Sequence, residues 1–256
     1  MKNNSQKPVK KNKSLLDEKQ PHVCEINLPA SKLPPSKPFF DFRDSFHWRV
    51  LRILSEFVDG FQFLANFDKI KTVTFFGSAR FPEDNHWYQV ARQLGNLLGQ
   101  DGYGVVTGGG PGIMEAGNRG VSEGGGESLG LNIKLLYEQR INPYVKKSMS
   151  FHYFFSRKTM LTYSAQAYVY FPGGFGTLDE FFEIITLLQT NKISSKSPVI
   201  CVGKEFWDPI VALIKQSIYG RFQAIDEQDQ LIYTVVDTAE EAFELIKKAP
   251  HVKYFS

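Results

Sequence analysis

The feature that most constrains the fold is an alternation. From residue 71 onward, short apolar runs (Val73–Phe76, Gly104–Thr107, Ser128–Ile133, Ala167–Phe171, Val199–Val202 and Ile232–Val235) are separated by segments with a helical period. A strand that is apolar on both faces needs cover on both sides, and the intervening helices supply it. The helical segments have local punctuation. Asp84 or Asn85 can cap a helix that buries Val90, Ala91, Leu94 and Leu98. Further helices are expected at Ile113–Ser122, Ser156–Ser164, Thr177–Gln189 and Trp207–Ile218, the last stopped by Gly220. Thr238-x-x-Glu241 is a capping box that opens a final helix ending near Lys248. Residues 134–148 form a connection, and Met149–Phe155 carries β-favouring aromatics. The expected architecture is α/β: a doubly wound, mostly parallel Rossmann-like sheet over residues 69–250.

Ahead of it lie two other segments. Residues 45–66 repeat apolar side chains at Phe46, Val50, Leu54, Phe57, Phe61 and Leu64, one face of an amphipathic helix bent near Gly60. Residues 39–68 therefore read as an N-terminal helical extension, which either covers the sheet or makes an oligomer contact. Residues 1–38 hold eight Lys, no Arg, three acids and six of the 13 prolines, the composition of a disordered or surface-draped tail. This tail carries +5 and the remainder of the chain −2, so the net charge of +3 comes entirely from the tail. Its lysines lack interleaved aromatics, and a solubilising leader is expected in preference to a partner for nucleic acid or membrane.

Composition removes other classes. No run approaches the ~20 apolar residues of a membrane span, and the N-terminus lacks the apolar core of a signal peptide. With Cys24 and Cys201 alone, and five His scattered at 22, 47, 86, 152 and 251, neither a disulfide framework nor a metal site is expected. A cytoplasmic setting follows as the expectation.

The glycines point to a site. Twelve of 21 fall between Gly102 and Gly130, and three more at Gly173, Gly174 and Gly176, both groups at strand-to-helix junctions. Such a junction aims backbone N–H groups and the positive end of a helix dipole at an anion, typically phosphate. Neither G-x-G-x-x-G nor G-x-x-x-x-G-K-[ST] occurs, which disfavours a dinucleotide fold and a P-loop. Thr177 can add its hydroxyl to a phosphate, and Glu180 lies one turn into the helix. It is either a dipole-favoured first-turn acid or a group that stabilises charge. Arg157-Lys158 opens another helix at the same sheet edge, where cations gain nothing from the dipole; it is either a surface pair or a contact to phosphate or ribose.

The run PGGFGTLDE at 172–180 matches the PGGxGTxxE motif of the lonely-guy family of cytokinin riboside 5′-monophosphate phosphoribohydrolases, long labelled "lysine decarboxylase-like". FFGSAR at 75–80, TGGGPGIMEAGNRG at 107–120 and SRKTM at 156–160 agree in order, so the resemblance covers about residues 45–248, closest to the longer bacterial members. It implies hydrolysis of the N-glycosidic bond of a nucleoside 5′-monophosphate, AMP or a cytokinin riboside monophosphate, to free base and ribose 5-phosphate. By position it implies Arg157 and Glu180 as the catalytic pair. Gly173, Gly174, Gly176 and Thr177 fall on its phosphate loop, with Lys158 beside the substrate. Gly109, Gly110, Gly112 and Met114 fall on its second glycine turn, and Gly77 and Ser78 on the turn after the first strand. It further implies no cofactor and a homodimer or higher homo-oligomer. Ser156 departs from the acidic residue that many short members carry there. A non-catalytic nucleotide or molybdenum-cofactor carrier is the alternative. A pyridoxal phosphate-dependent lysine decarboxylase is disfavoured, because nothing marks Lys158 as a Schiff-base former.

Overall fold

The computed structural model describes residues 45–134, 141–163, 165–194 and 196–250. The expected tail at 1–38, the start of the extension and part of the 134–148 connection lie outside them.

The described residues run through helix α1 (Phe46–Ala65), β1 (Thr72–Phe76), α2 (His86–Gln100), β2 (Gly104–Thr107), α3 (Ile113–Glu123), β3 (Glu127–Ile133), β4 (Lys147–Phe151), α4 (Phe154–Tyr163), β5 (Ala167–Tyr170), α5 (Phe175–Gln189), β6 (Val199–Val202), α6 (Lys204–Leu213), β7 (Tyr233–Val236) and α7 (Ala239–Lys248). The seven strands form one parallel sheet in the order β4-β3-β2-β1-β5-β6-β7. The strand order reverses between β1 and β5, so the carboxyl ends of those two strands diverge around a crevice, the place where sheets of this kind bind ligands.

Burial explains the layers. The apolar runs lie in the middle of the sheet, with every residue of β1, β2, β5 and β6 buried. On one face, Leu64, Met160, Phe181 and Trp207 pack from α1, α4, α5 and α6. On the other, Ala91, Leu94, Leu98, Ile113, Ala116 and Ala242 pack from α2, α3 and α7. Asn85 caps α2 by accepting from the Trp87 N–H at 2.9 Å, and the Thr238–Glu241 capping box opens α7.

The structure moves several expected boundaries. α1 runs unbroken through Gly60 instead of bending there. Gly60 is a contact point, since a Cβ would stand 2.7 Å from the Met160 sulfur. The single apolar stripe expected on α1 divides in two. Phe57, Phe61 and Leu64 pack on the core, while Val50, Leu51, Leu54 and Val58 face outward with Phe46, 39–73% exposed. The helix expected to stop at Gly220 is α6 followed by a π-helical stretch, Ile214–Arg221, that passes through it. The expected strand Met149–Phe155 lies earlier, and α4 starts at Phe154.

Part of the glycine cluster serves packing. α2 and α3 lie so close that a Cβ at Gly120 would stand 2.0 Å from the Arg92 carbonyl, and one at Gly124 2.3 Å from that of Asn96. Gly117 makes room for the Phe75 ring at 2.7 Å. Only glycine lets two helix backbones approach to this degree.

Candidate functional site

Three strand-to-helix junctions, after β1, β2 and β5, converge at the carboxyl edge of the sheet. Ser78 joins them. Its N–H donates to the Pro172 carbonyl at 3.0 Å, and its own carbonyl accepts from Ile113 N–H at 3.0 Å. Its hydroxyl accepts from Arg80 N–H at 3.1 Å. Gly77 is pressed against the Ile113 side chain, 2.7 Å from where a Cβ would sit. The turn after β1 thus acts as a spacer between the two glycine turns.

The turn from Gly108 to Gly112 is held on every side. Gly109 N–H donates to the Thr107 hydroxyl at 2.9 Å, and Asn142 occupies the Gly109 and Gly110 carbonyls at 2.9 and 3.0 Å. Asn118 extends this buried network to Thr107, Ser128 and Asn142. Gly112 has φ +68° and a Cβ there would stand 2.3 Å from the Ser78 carbonyl, so the turn demands glycine on two counts. A Cβ on Gly108 would meet the Arg157 guanidinium at 2.1 Å and the Met114 sulfur at 2.8 Å, so both side chains lie over this turn.

The turn from Gly173 to Gly176 is open. Nothing lies within 4 Å of where a Cβ would project from Gly174 or Gly176, and Phe175 is 94% exposed. No side chain caps α5 at Gly174, which leaves the N–H groups of its first turn directed at the loop with the positive end of the helix dipole. The Thr177 hydroxyl lies over Gly173, 2.2 Å from where a Cβ would be.

The charged pair arrives from two helices. Arg157, in the first turn of α4, reaches across β3 and its Nε–H donates to the Leu131 carbonyl at 2.7 Å. Burial lowers the pKa of its guanidinium, and the charge of Glu180 opposes that shift. Glu180, in the second turn of α5, is half-buried. Withdrawal from water pushes its carboxyl up to about pKa 7, against the pull of Arg157 and Lys158. The Tyr170 hydroxyl donates to the Glu180 carbonyl at 3.1 Å and fastens this turn of α5 to β5. Among the described residues no ion pair joins Arg157 to Glu180, so the two charges influence each other across a gap. Lys158 pairs with Asp179 and Glu183 of α5, each at 2.9 Å.

The structure therefore brings Arg157, Glu180, Met114, Thr177 and all three turns to one edge. Sequence reasoning missed Thr107, Asn118, Asn132 and Asn142, which lie beneath the 108–112 turn. Single polar residues in apolar strands (Thr107, Asn132), in a helix (Asn118) or in a connection (Asn142) signal such a network only weakly. Among the described residues, no cluster of His, Cys, Asp or Glu could hold a metal, and no helix is long and apolar enough to cross a membrane.

A parallel sheet with a switch point, flanked by helices on both faces, defines a Rossmann-like α/β protein. The profile of the family described as "possible lysine decarboxylase" matches residues 114–246. A rice (Oryza sativa subsp. japonica) protein named cytokinin riboside 5′-monophosphate phosphoribohydrolase LOG is 29% identical over 168 residues, 63% of this chain and 65% of the relative. A second rice protein, the probable phosphoribohydrolase LOGL5, is 30% identical over 138 residues, 53% of this chain and 56% of the relative. The chain thus spans somewhat less than two thirds of the length of these relatives. Among solved structures, the structural-genomics target TM1055 superposes with a TM-score of 0.55 at 27% identity, over 70% of this chain and 99% of that one. The molybdenum cofactor carrier protein of Chlamydomonas reinhardtii shares the fold, with a TM-score of 0.53 at 19% identity over 70% and 97% of the two chains. The chain belongs to the lonely-guy family, which the older lysine decarboxylase label also denotes.

Proposed function

We propose that this protein hydrolyses the N-glycosidic bond of a nucleoside 5′-monophosphate, AMP or a cytokinin riboside monophosphate, releasing free base and ribose 5-phosphate. The observation that carries this reading is the placement of Glu180, a half-buried carboxylate poised at about pKa 7, opposite Arg157 and beside the open turn at Gly173–Gly176. The activity named for the rice relatives agrees with it.

The chemistry follows from the residues. Cleavage of the sugar–base bond builds positive charge on the ribose, as in O-glycoside hydrolysis. Glu180 in its ionised form faces that charge and orients the water that adds to the anomeric carbon; the base departs with the bonding electrons and takes up a proton. The open turn and the start of α5 receive the 5′-phosphate on backbone N–H groups. Phosphate binding positions the sugar without itself reacting. Because Asp179 and Glu183 already neutralise Lys158, the guanidinium of Arg157 is the principal side-chain cation for phosphate or departing base.

The test is incubation of the purified protein with AMP and with isopentenyladenosine monophosphate, followed by chromatography for free base. Base release, much weaker from nucleosides lacking the 5′-phosphate, is expected. Folded protein that releases no base from any nucleoside monophosphate overturns the reading, and ligand retained without turnover would favour a carrier. The outward apolar residues of α1 further support a homodimer or larger homo-oligomer, which sedimentation velocity would detect as a species above 29.1 kDa.

A further inference from the structure

One buried acid has no part in the site described so far. Glu56 lies on α1, a helix whose other core-facing positions are glycine and apolar residues. Its carboxylate accepts the His152 N–H at 2.5 Å and the Tyr153 N–H at 3.3 Å. It also accepts the Ser156 hydroxyl at 2.5 Å. The single hydroxyl proton of Ser156 goes to this carboxylate, the closer and charged acceptor, and not to the Tyr153 carbonyl at 3.0 Å.

These donors mark the entry into α4. A helix start leaves backbone N–H groups without intrahelical partners, usually satisfied by Ser, Thr, Asp or Asn at the cap. Here the residue before Phe154 is Tyr153, and His152 and Tyr153 offer no such acceptor. The chain supplies a carboxylate from a residue about 100 positions earlier. A negative charge at that end also suits the helix dipole.

The residue after Ser156 is Arg157. Its guanidinium must cross β3 to bond the Leu131 carbonyl and lie over Gly108, so any shift of the first turn of α4 displaces it. We propose that Glu56 is a positioning residue for the reaction: it clamps the first turn of α4 so that Arg157 is delivered to the gap opposite Glu180. This rests on the hydrolase reading above. It gives the N-terminal extension a role in turnover beyond covering the sheet.

Three variants test it, with kcat and KM measured on AMP and amide hydrogen exchange followed over residues 152–158. Glu56→Ala is expected to lower kcat about 100-fold with KM changed less than about threefold, and to speed exchange in that segment. In Glu56→Ala/Ser156→Glu, a carboxylate at the third helical position can reach back to the Tyr153 N–H as in a capping box. That double variant should regain both protection and most of kcat. Glu56→Gln, which keeps the shape and one acceptor oxygen, should lose about tenfold in kcat and carries the test should the alanine variant not fold. Wild-type kcat in a folded Glu56→Ala or, failing that, Glu56→Gln overturns the proposal, as does a double variant that recovers protection without kcat. If the unaltered protein releases no base, the hydrolase reading falls and the catalytic role falls with it; the exchange data still decide whether Glu56 holds α4.

Discussion

The two glycine turns look alike in sequence and differ in physical purpose. In the turn after β2, three glycines face the protein itself: Gly108 lies beneath Arg157 and Met114, Gly109 faces the Asn132 amide, and Gly112 lies against Ser78 at a positive φ. In the turn after β5, Gly174 and Gly176 face nothing within 4 Å. The first turn is a rigid platform beneath the guanidinium. The second is an open cradle whose glycines leave space and backbone donors for something else. Glycine richness alone does not separate these cases; what each absent Cβ would have met does.

Substitutions can break or sharpen this contrast. The largest expected effect is on the open side, where Glu180→Gln should cost about 1,000-fold in kcat/KM, ~4 kcal/mol of transition-state stabilisation, with no loss of melting temperature. Retained turnover would remove Glu180 from the mechanism. On the closed side, Gly112→Ala forces a side chain into a left-handed conformation and into the Ser78 carbonyl. It should destabilise the fold by at least ~2 kcal/mol by urea denaturation.

The pH dependence distinguishes the charged pair from its supports. Because Glu180 must be ionised to face a cationic sugar and its pKa is raised to about 7, kcat/KM should fall as pH drops below about 7. The sign for stability is opposite. A carboxyl with a raised folded-state pKa favours the folded state most when protonated, and this contribution is lost as pH rises from the ordinary carboxylate range through about 7. Glu180→Gln should therefore gain melting temperature relative to wild type at pH 8 compared with pH 5.

Smaller effects complete the series. Gly176→Ala projects into open space in the first turn of a helix, so stability should hold or rise by a few tenths of a kcal/mol, about the gain of replacing a helical glycine. A KM for AMP that rises while stability holds would show the cradle meets substrate; unchanged KM would mean it does not. Lys158→Ala should have the least effect on turnover, because its charge is already balanced by Asp179 and Glu183. A tenfold or larger rise in KM would show that those pairs open on binding.

Much of this was legible in the residues. Val73–Phe76 and Val199–Val202 read as buried strands, the cap at Asn85 and the box at Thr238 opened their helices, and PGGFGTLDE marked the turn that bears Glu180. Helix α1 was legible only as a helix. Its apolar residues at steps of three and four follow from one sequence pattern, yet some face the sheet and others face outward. The bend expected at Gly60 is instead a contact with Met160.

What the sequence by itself determined is everything carried by local geometry: strand and helix periods, caps, and strand-to-helix turns that need glycine. These depend on neighbours a few residues apart, so their signal is written in short spacings. Only the tertiary structure decided which glycines make room for a helix and which leave a cradle. It also decided that Lys158 is neutralised by α5 and that Asn142 closes the turn at Gly109. It alone placed Glu56 at the start of α4. Each of these is a single polar or steric contact between distant segments, and such a contact has no period along the chain by which it could be read.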